Sequence, residues 1–245
     1  QTKLYTGNGG TLAVTLDGSE NMQPDWVWLK DRDGTNQNFV YDSVRGVTKE
    51  LNTETNQAEQ TKSGGLTAFD SDGFTLGDYS GSNDSSTNYV SWNWKAGTAF
   101  SNDASATSVG TIDSSGSVNT TAGFSIISYT GNGTANQSVA HGLGAVPKFI
   151  INKPRNDSGH WSVTNPRFLS VSDTNMMYLQ LTSAEADDTN VNGEIAPSST
   201  VFGVDDYTGV NTNNQTQIAY CFTPIKGYSA IGTFTGNGSA SSGPY

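Results

Sequence analysis

The sequence predicts an all-β protein made of tandem antiparallel β-sandwich modules, jelly-roll-like in type, and three observations carry that expectation. Apolar residues alternate with a period of two in short runs. Joints rich in Gly, Asn, Asp and Ser separate the runs. The whole series then occurs a second time in the same order. Composition agrees: of 245 residues 33% are hydrophobic and only 14% charged, with 28 glycines, a balance that suits short strands and many turns.

The first run ends in YTGNG (Tyr5–Gly9), which returns as Tyr129–Gly133 and, with Phe for Tyr, as Phe234–Gly238. Asn-Gly takes positive φ easily, so each copy predicts a tight turn. PDWVWLKDR (Pro24–Arg32) falls on PKFIINKPR (Pro147–Arg155); both are apolar on two faces over part of their length, as a strand inside a sandwich is. NFVYDSVR (Asn38–Arg45) meets HWSVTNPR (His160–Arg167), and GFTLGDYSG (Gly73–Gly81) meets VFGVDDYTG (Val201–Gly209). In YVSWNWK (Tyr89–Lys95), Val90, Trp92 and Trp94 share the face expected to be buried; its counterpart QIAYCFT (Gln217–Thr223) keeps Ile218, Tyr220 and Phe222. GFSIISYTGNG (Gly123–Gly133) meets GYSAIGTFTGNG (Gly227–Gly238). TNQAEQT (Thr55–Thr61) and TSAEADD (Thr182–Asp188) read as one-turn helical excursions. TGNG therefore marks the seam of a module of roughly 105–125 residues. The expected organisation is a first sandwich over 1–100, a Ser/Thr/Gly-rich linker over 101–122, a second sandwich over 123–233, and the start of a truncated third repeat over 234–245.

A net charge of −11 repels phosphates, which argues against nucleic acid and anionic membranes as partners. No run approaches the roughly 18 apolar residues of a membrane span, and the single Cys221 forms no intrachain disulfide. Gln1 opens no signal sequence, and without an initiating Met the chain reads as a fragment or a processed product. His141 and His160 lie in no nucleophile pattern, no carboxylate pair stands out for glycoside hydrolysis, and Cys221 reads as a small inert thiol on a strand. The expected protein is not an enzyme. Two turns place oxygen ligands at alternate positions: DRDGTNQN, with Asp31 and Asp33, and DSDG, with Asp70 and Asp72. Calcium is the cation such turns suit, although both lack the closing Glu of an EF-hand, and a plain surface turn is the commoner explanation; otherwise no cofactor is implied. Trp26, Trp28, Trp92 and Trp94 could form a sugar-stacking platform, but their bulky counterparts in the second copy argue for the core. Tyr79 and Tyr207, beside Gly-rich turns, are the candidates for contact with a carbohydrate or receptor.

The blocks PDWVWLKDR, YDSVRG, FDSDGFTLG, VSWNWKAG, AGFSIISYTGNG, HGLGAVPKFIINK and AYCFTPIKGYS resemble, in that order, a repeated domain of unknown function in virion proteins of marine and cyanobacterial tailed phages. The resemblance covers nearly the whole chain and implies a structural or host-contacting component on the virion surface, of tail-fibre or appendage type. Its implied partners are other virion proteins, a host-surface glycan and further copies of the chain, a trimer by analogy with fibres. A capsid decoration or cement protein, and a carbohydrate-binding appendage of a polysaccharide-degrading enzyme, are the alternatives. The second copy departs from the pattern at PSSTVFGV, where the acids of FDSDGFTLG are missing, so any metal site is expected in the first copy alone.

Overall fold

The first copy of the repeat contributes β1 (Thr2–Thr6), β2 (Leu12–Thr15), β3 (Trp26–Asp31), β4 (Phe39–Asp42), β5 (Lys49–Asn52), β6 (Gln60–Thr61), β7 (Leu66–Asp70), β8 (Gly73–Leu76) and β9 (Asn88–Trp94), with a helical turn α1 (Ser80–Asn83). The second part of the chain contributes β10 (Thr98–Asn102), the turn α2 (Ala104–Thr107), β11 (Ser114–Asn119), β12 (Phe124–Thr130), β13 (Gln137–Ala140), β14 (Phe149–Pro154), β15 (Ser162–Thr164), β16 (Asn175–Tyr178), β17 (Ala186–Asp187), β18 (Val201–Val204) and β19 (Thr216–Phe222). The structure, a computed structural model, describes residues 1–35, 38–164, 175–187, 191 and 195–238. The last three residues of the HWSVTNPR block, Asp188, and 239–245 of the expected third repeat lie outside the described residues.

The strand orders of the two copies match in the large sheets. One sheet runs β1-β9-β3-β4-β5-β6, and within a larger one β12-β19-β14-β15-β16-β17 repeats that order strand for strand. Of the smaller sheets, the pair β2-β8 corresponds to β13-β18, and β7 has no counterpart among the described residues. Every ladder between named strands is antiparallel, and the fold is an all-β sandwich.

One expectation is overturned between the copies. Residues 101–122 are not a linker: β10 and β11 add two strands to the edge of β12. The small residues that suggested a linker are what the pairing needs, because a Cβ at Gly116 would collide with the carbonyl of Ile126 on the neighbouring strand. Nor do 55–61 or 182–187 form helical turns; the turns occur at α1, closed by backbone bonds to the Tyr79 carbonyl, and at α2, where the Asp103 side chain also accepts from Ala106 N–H.

Period-two alternation sends the central strands β3, β4, β12, β14 and β19 into two cores each. Val27, Leu29, Phe39 and Tyr41 pack outward on Val14, Leu66, Phe74 and Leu76 of the three-stranded sheet. Ile127, Tyr129, Ile150, Ala219 and Cys221 pack outward on Val139, Phe202 and Val204 of the two-stranded sheet. The opposite faces meet each other: Trp26, Val40 and Leu51 of the first copy share one core with Phe124, Ile126, Ile151, Trp161, Val163, Ile218 and Tyr220 of the second. The four sheets therefore stack in layers, with the large ones back to back. This is why PDWVWLK and PKFIINK are apolar on both faces. Trp26 sits in the middle of the shared core at 2% exposure, whereas Trp92 and Trp94, expected there too, are half-buried. Trp94 reaches that core from its rim, and Trp92 stacks edge-on to Trp28.

Polar bonds cross the same boundary. The Tyr220 hydroxyl donates to Asp42 Oδ2 at 2.6 Å, the Trp161 indole donates to the Asn52 carbonyl at 2.8 Å, and Arg155 makes two bonds to Glu59 at 2.9 and 3.1 Å. Arg45, fully buried, binds Asp42 at 2.5 Å and Glu59 at 3.3 Å and also donates to the carbonyls of Lys49 and Val40.

The recurrence of YTGNG has a specific cause. It is a corner and not a hairpin, since β1 and β2 lie in different sheets, as do β12 and β13. Only the last glycine takes positive φ, 70° at Gly9 and 65° at Gly133. A buried asparagine clamps each corner. Asn83 accepts from the Asn8 N–H and donates to the Asn8 side chain and the carbonyls of Gly10 and Gly77. Asn211 repeats the pattern with Asn132 and Thr134. The tyrosine hydroxyl completes it, donating from Tyr5 to the Ser82 carbonyl at 2.8 Å and from Tyr129 to that of Val210 at 2.7 Å. FTGNG carries Phe234 in that place, 76% exposed and without a hydroxyl to donate. Asn83→Ala should cost about 1–3 kcal/mol in urea unfolding, because its buried partners lose their bonds. Asn83→Asp, the same shape without the amide donors, should cost a comparable amount.

Candidate functional site

The clamp fixes the turn that carries Tyr79. Its N–H donates to the Gly64 carbonyl at 2.9 Å and its carbonyl accepts from Asn83 N–H at 2.9 Å, so the backbone is held from both sides. A Cβ at Gly81 would lie 2.6 Å from Tyr79 Cε1, and one at Gly209 lies as close to Tyr207, which explains the glycine two residues after each tyrosine. The Tyr79 ring is half-buried, 5.7 Å from Phe39, with Lys62 Nζ 5.3 Å from its centroid.

Beside it opens a pocket of about 370 Å³ lined by Glu50, Asn52, Gln57, Gln60, Lys62 and Tyr79, with Ser158 from the second copy at its rim. β5 presents Glu50 and Asn52 to it, both buried. Glu50 accepts from the Tyr41 hydroxyl at 2.5 Å. Burial raises the Glu50 carboxyl above its ordinary range, against the pull of Tyr41, Lys62 and Arg45 in the other direction. Burial and the nearby Glu50 raise the Tyr79 hydroxyl. Asn52 Oδ1 accepts from Glu54 N–H, while its Nδ2 is buried without a hydrogen bond. The pocket thus combines a carboxyl, three amides, an ammonium and an aromatic ring, a set that hydrogen-bonds hydroxyl groups and packs on C–H faces.

Tyr207 occupies the matching turn but does not meet Tyr79. Its hydroxyl bonds that of Tyr178 at 2.6 Å, and its ring packs on the core under the two-stranded sheet. The four aspartates serve the turns. Asp31 accepts from the N–H groups of Asp33 and Gly34, Asp33 from Asn88, Asp70 from the Thr75 hydroxyl, and Asp72 from Met22 N–H. Among the described residues no three His, Cys, Asp or Glu side chains gather as a metal group.

His141, just past the end of β13, is buried: its Nε2 lies 3.1 Å from the Ser198 carbonyl, Nδ1 accepts from Leu143 N–H, and burial pushes the imidazole down. Cys221 is fully buried, which pushes its thiol up to about 12. Lys153 is buried too, donating to the Pro154 carbonyl at 2.8 Å, and burial followed by the charge of Arg45 lowers it to about 8. A second, apolar cleft of about 320 Å³ opens at the end of the shared core between Trp28, Trp94, Phe149, Phe222 and Tyr228.

Tyr79 is the one residue of this pocket that the sequence singles out as a contact candidate. Glu50, Asn52, Gln57, Gln60 and Lys62 lie between the NFVYDSVR and GFTLGDYSG blocks, where no motif marks them as site residues.

A family model described as "Domain of unknown function (DUF7483)" matches residues 1–245, across both copies and the seam between them. The chain belongs to that family. In this DUF7483 chain the match runs the full length, as the shared core does between its halves. No curated protein and no solved structure shows significant similarity to it.

Proposed function

We propose that the chain is a non-enzymatic structural module of a phage virion appendage, of tail-fibre type, which contacts a host-surface glycan through the Tyr79 pocket. The observation that carries this reading is the pocket's donor set: buried Glu50 and Asn52 at its base, exposed Gln57 and Gln60 with Lys62 at its mouth, and the Tyr79 ring along one wall. A neutral or hydroxyl-rich ligand matches those groups better than an anion does, given the carboxyl at the centre and the net charge of −11. The phage assignment rests on the ordered motif blocks from PDWVWLKDR to AYCFTPIKGYS. Layers with buried faces on both sides give such a contact a rigid base.

The test is a host-envelope oligosaccharide array. The wild-type chain should retain at least one glycan, and Lys62→Ala and Gln57→Ala, both at the pocket mouth, should weaken it by about tenfold to a hundredfold with melting unchanged. Gold-labelled antibody should mark an appendage on the particle. Failure to retain any glycan, or indifference to Lys62→Ala, would overturn the reading, and label spread evenly over the capsid would favour a cement protein.

A further inference from the structure

The first strand has an edge, and its hydrogen-bond parity can be worked out. Gln1 exchanges both backbone bonds with Asn93 at 2.8 Å, and Gly7 N–H donates to the Thr87 carbonyl at 2.8 Å. Odd-numbered residues of β1 therefore pair with β9, and the N–H and C=O groups of Thr2, Leu4 and Thr6 point away from the sheet. The side chains of those same three residues are exposed, Leu4 by 56%. In register, Leu4 stands opposite Val90 and Thr2 opposite half-buried Trp92, so Leu4 extends an apolar strip to the rim.

The second copy shows what this edge can accept. β12, the counterpart of β1, is covered by the antiparallel strand β11 along Ser114–Asn119. Nothing among the described residues covers β1 in that way.

We propose that β1 is a self-pairing edge, through which two copies of this chain join antiparallel about Leu4. The sequence Thr-Lys-Leu-Tyr-Thr is complementary to itself in that arrangement. Leu4 faces Leu4 of the second copy, Thr2 faces Thr6, and Lys3 faces Tyr5. The outward-pointing groups then fall opposite one another, giving about six backbone hydrogen bonds, two at each of the three facing pairs. No like charges meet, since the strand carries one cation, Lys3, and no acid. On a molecule of net charge −11 this is a stretch where association meets little repulsion. A twofold pairing closes on itself, so the product is a dimer and not the trimer that fibre analogy implies. Exposed edges of this kind pair unless they are blocked.

The register gives a sharp test on the 245-residue chain. Sedimentation across a concentration series should show a dimer. Leu4→Lys, which sets two cations opposite each other, should raise its dissociation constant at least about tenfold while the melting curve stays put. Leu4→Cys, mildly oxidised, should trap a covalent dimer, because facing residues of a hydrogen-bonded pair lie about 5.5 Å apart at Cα, within disulfide reach. Thr6→Cys should not, since Thr6 faces Thr2, and buried Cys221 does not compete. A monomer at every concentration, a dimer unaffected by Leu4→Lys, or equal trapping at both cysteines would overturn the proposal. So would protein from its native source that is monomeric with the Leu4 amide protected from exchange, which would mean that the chain covers its own edge.

Discussion

Arg45→Ala should destabilise the folded chain by about 3–5 kcal/mol, the usual cost of removing one partner from a buried ion pair. The Arg45 side chain has no exposed surface, nor has that of Asp42, its partner at 2.5 Å. Removing the guanidinium strips Asp42 of its countercharge and leaves the carbonyls of Val40 and Lys49 without their donor. It also removes the bond to Glu59, which Arg155 of the second copy holds from the other side. Arg45→Lys should recover little, because one ammonium cannot reproduce a fork that serves Asp42, Glu59 and two carbonyls. Chemical denaturation with intrinsic fluorescence measures both variants against the parent. A loss under about 1 kcal/mol, the worth of an exposed pair, would show that the network is dispensable.

Trp26→Ala should cost about as much, 3–5 kcal/mol, through the cavity it leaves. The indole lies 4.6 Å from the Trp94 ring and 5.8 Å from Trp28 in its own copy, and 4.9, 5.7 and 5.9 Å from Tyr220, Phe124 and Phe222 in the other. More of its ring partners belong to the second copy than to the first. Trp92→Ala should cost clearly less, since that side chain is half-buried and stacks on Trp28. Thermal unfolding of the two variants ranks them directly.

The strands of the two copies were legible because alternation and turn residues are local signals. YVSWNWK against QIAYCFT, and PDWVWLK against PKFIINK, fix both the elements and their correspondence. What Trp26 packs against was not legible, because a strand apolar on both faces says that both are buried and not what covers them. The second sandwich could have stood apart behind a linker; the placement of Phe124, Ile151 and Tyr220 against Trp26 is a tertiary fact. Residues 101–122 misled for a related reason. Ser, Thr and Gly carry little hydrophobic signal, yet the ladder between β11 and β12 is made by the backbone, and Gly116 is there to let the strands approach. Tyr79 is a candidate by its Gly-rich turn, whereas Glu50 and Asn52 reach the same pocket from β5, some thirty positions earlier in the chain. Spacing along the sequence does not reveal that meeting.

The shared core makes the two copies one folding unit, and amide exchange of the Trp26→Ala variant tests that most directly. Protection should fall in β14, β15 and β19 of the second copy as well as in β3, β4 and β9 of the first. Loss confined to the first copy, with β14 and β19 protected as in the parent, would contradict the shared core.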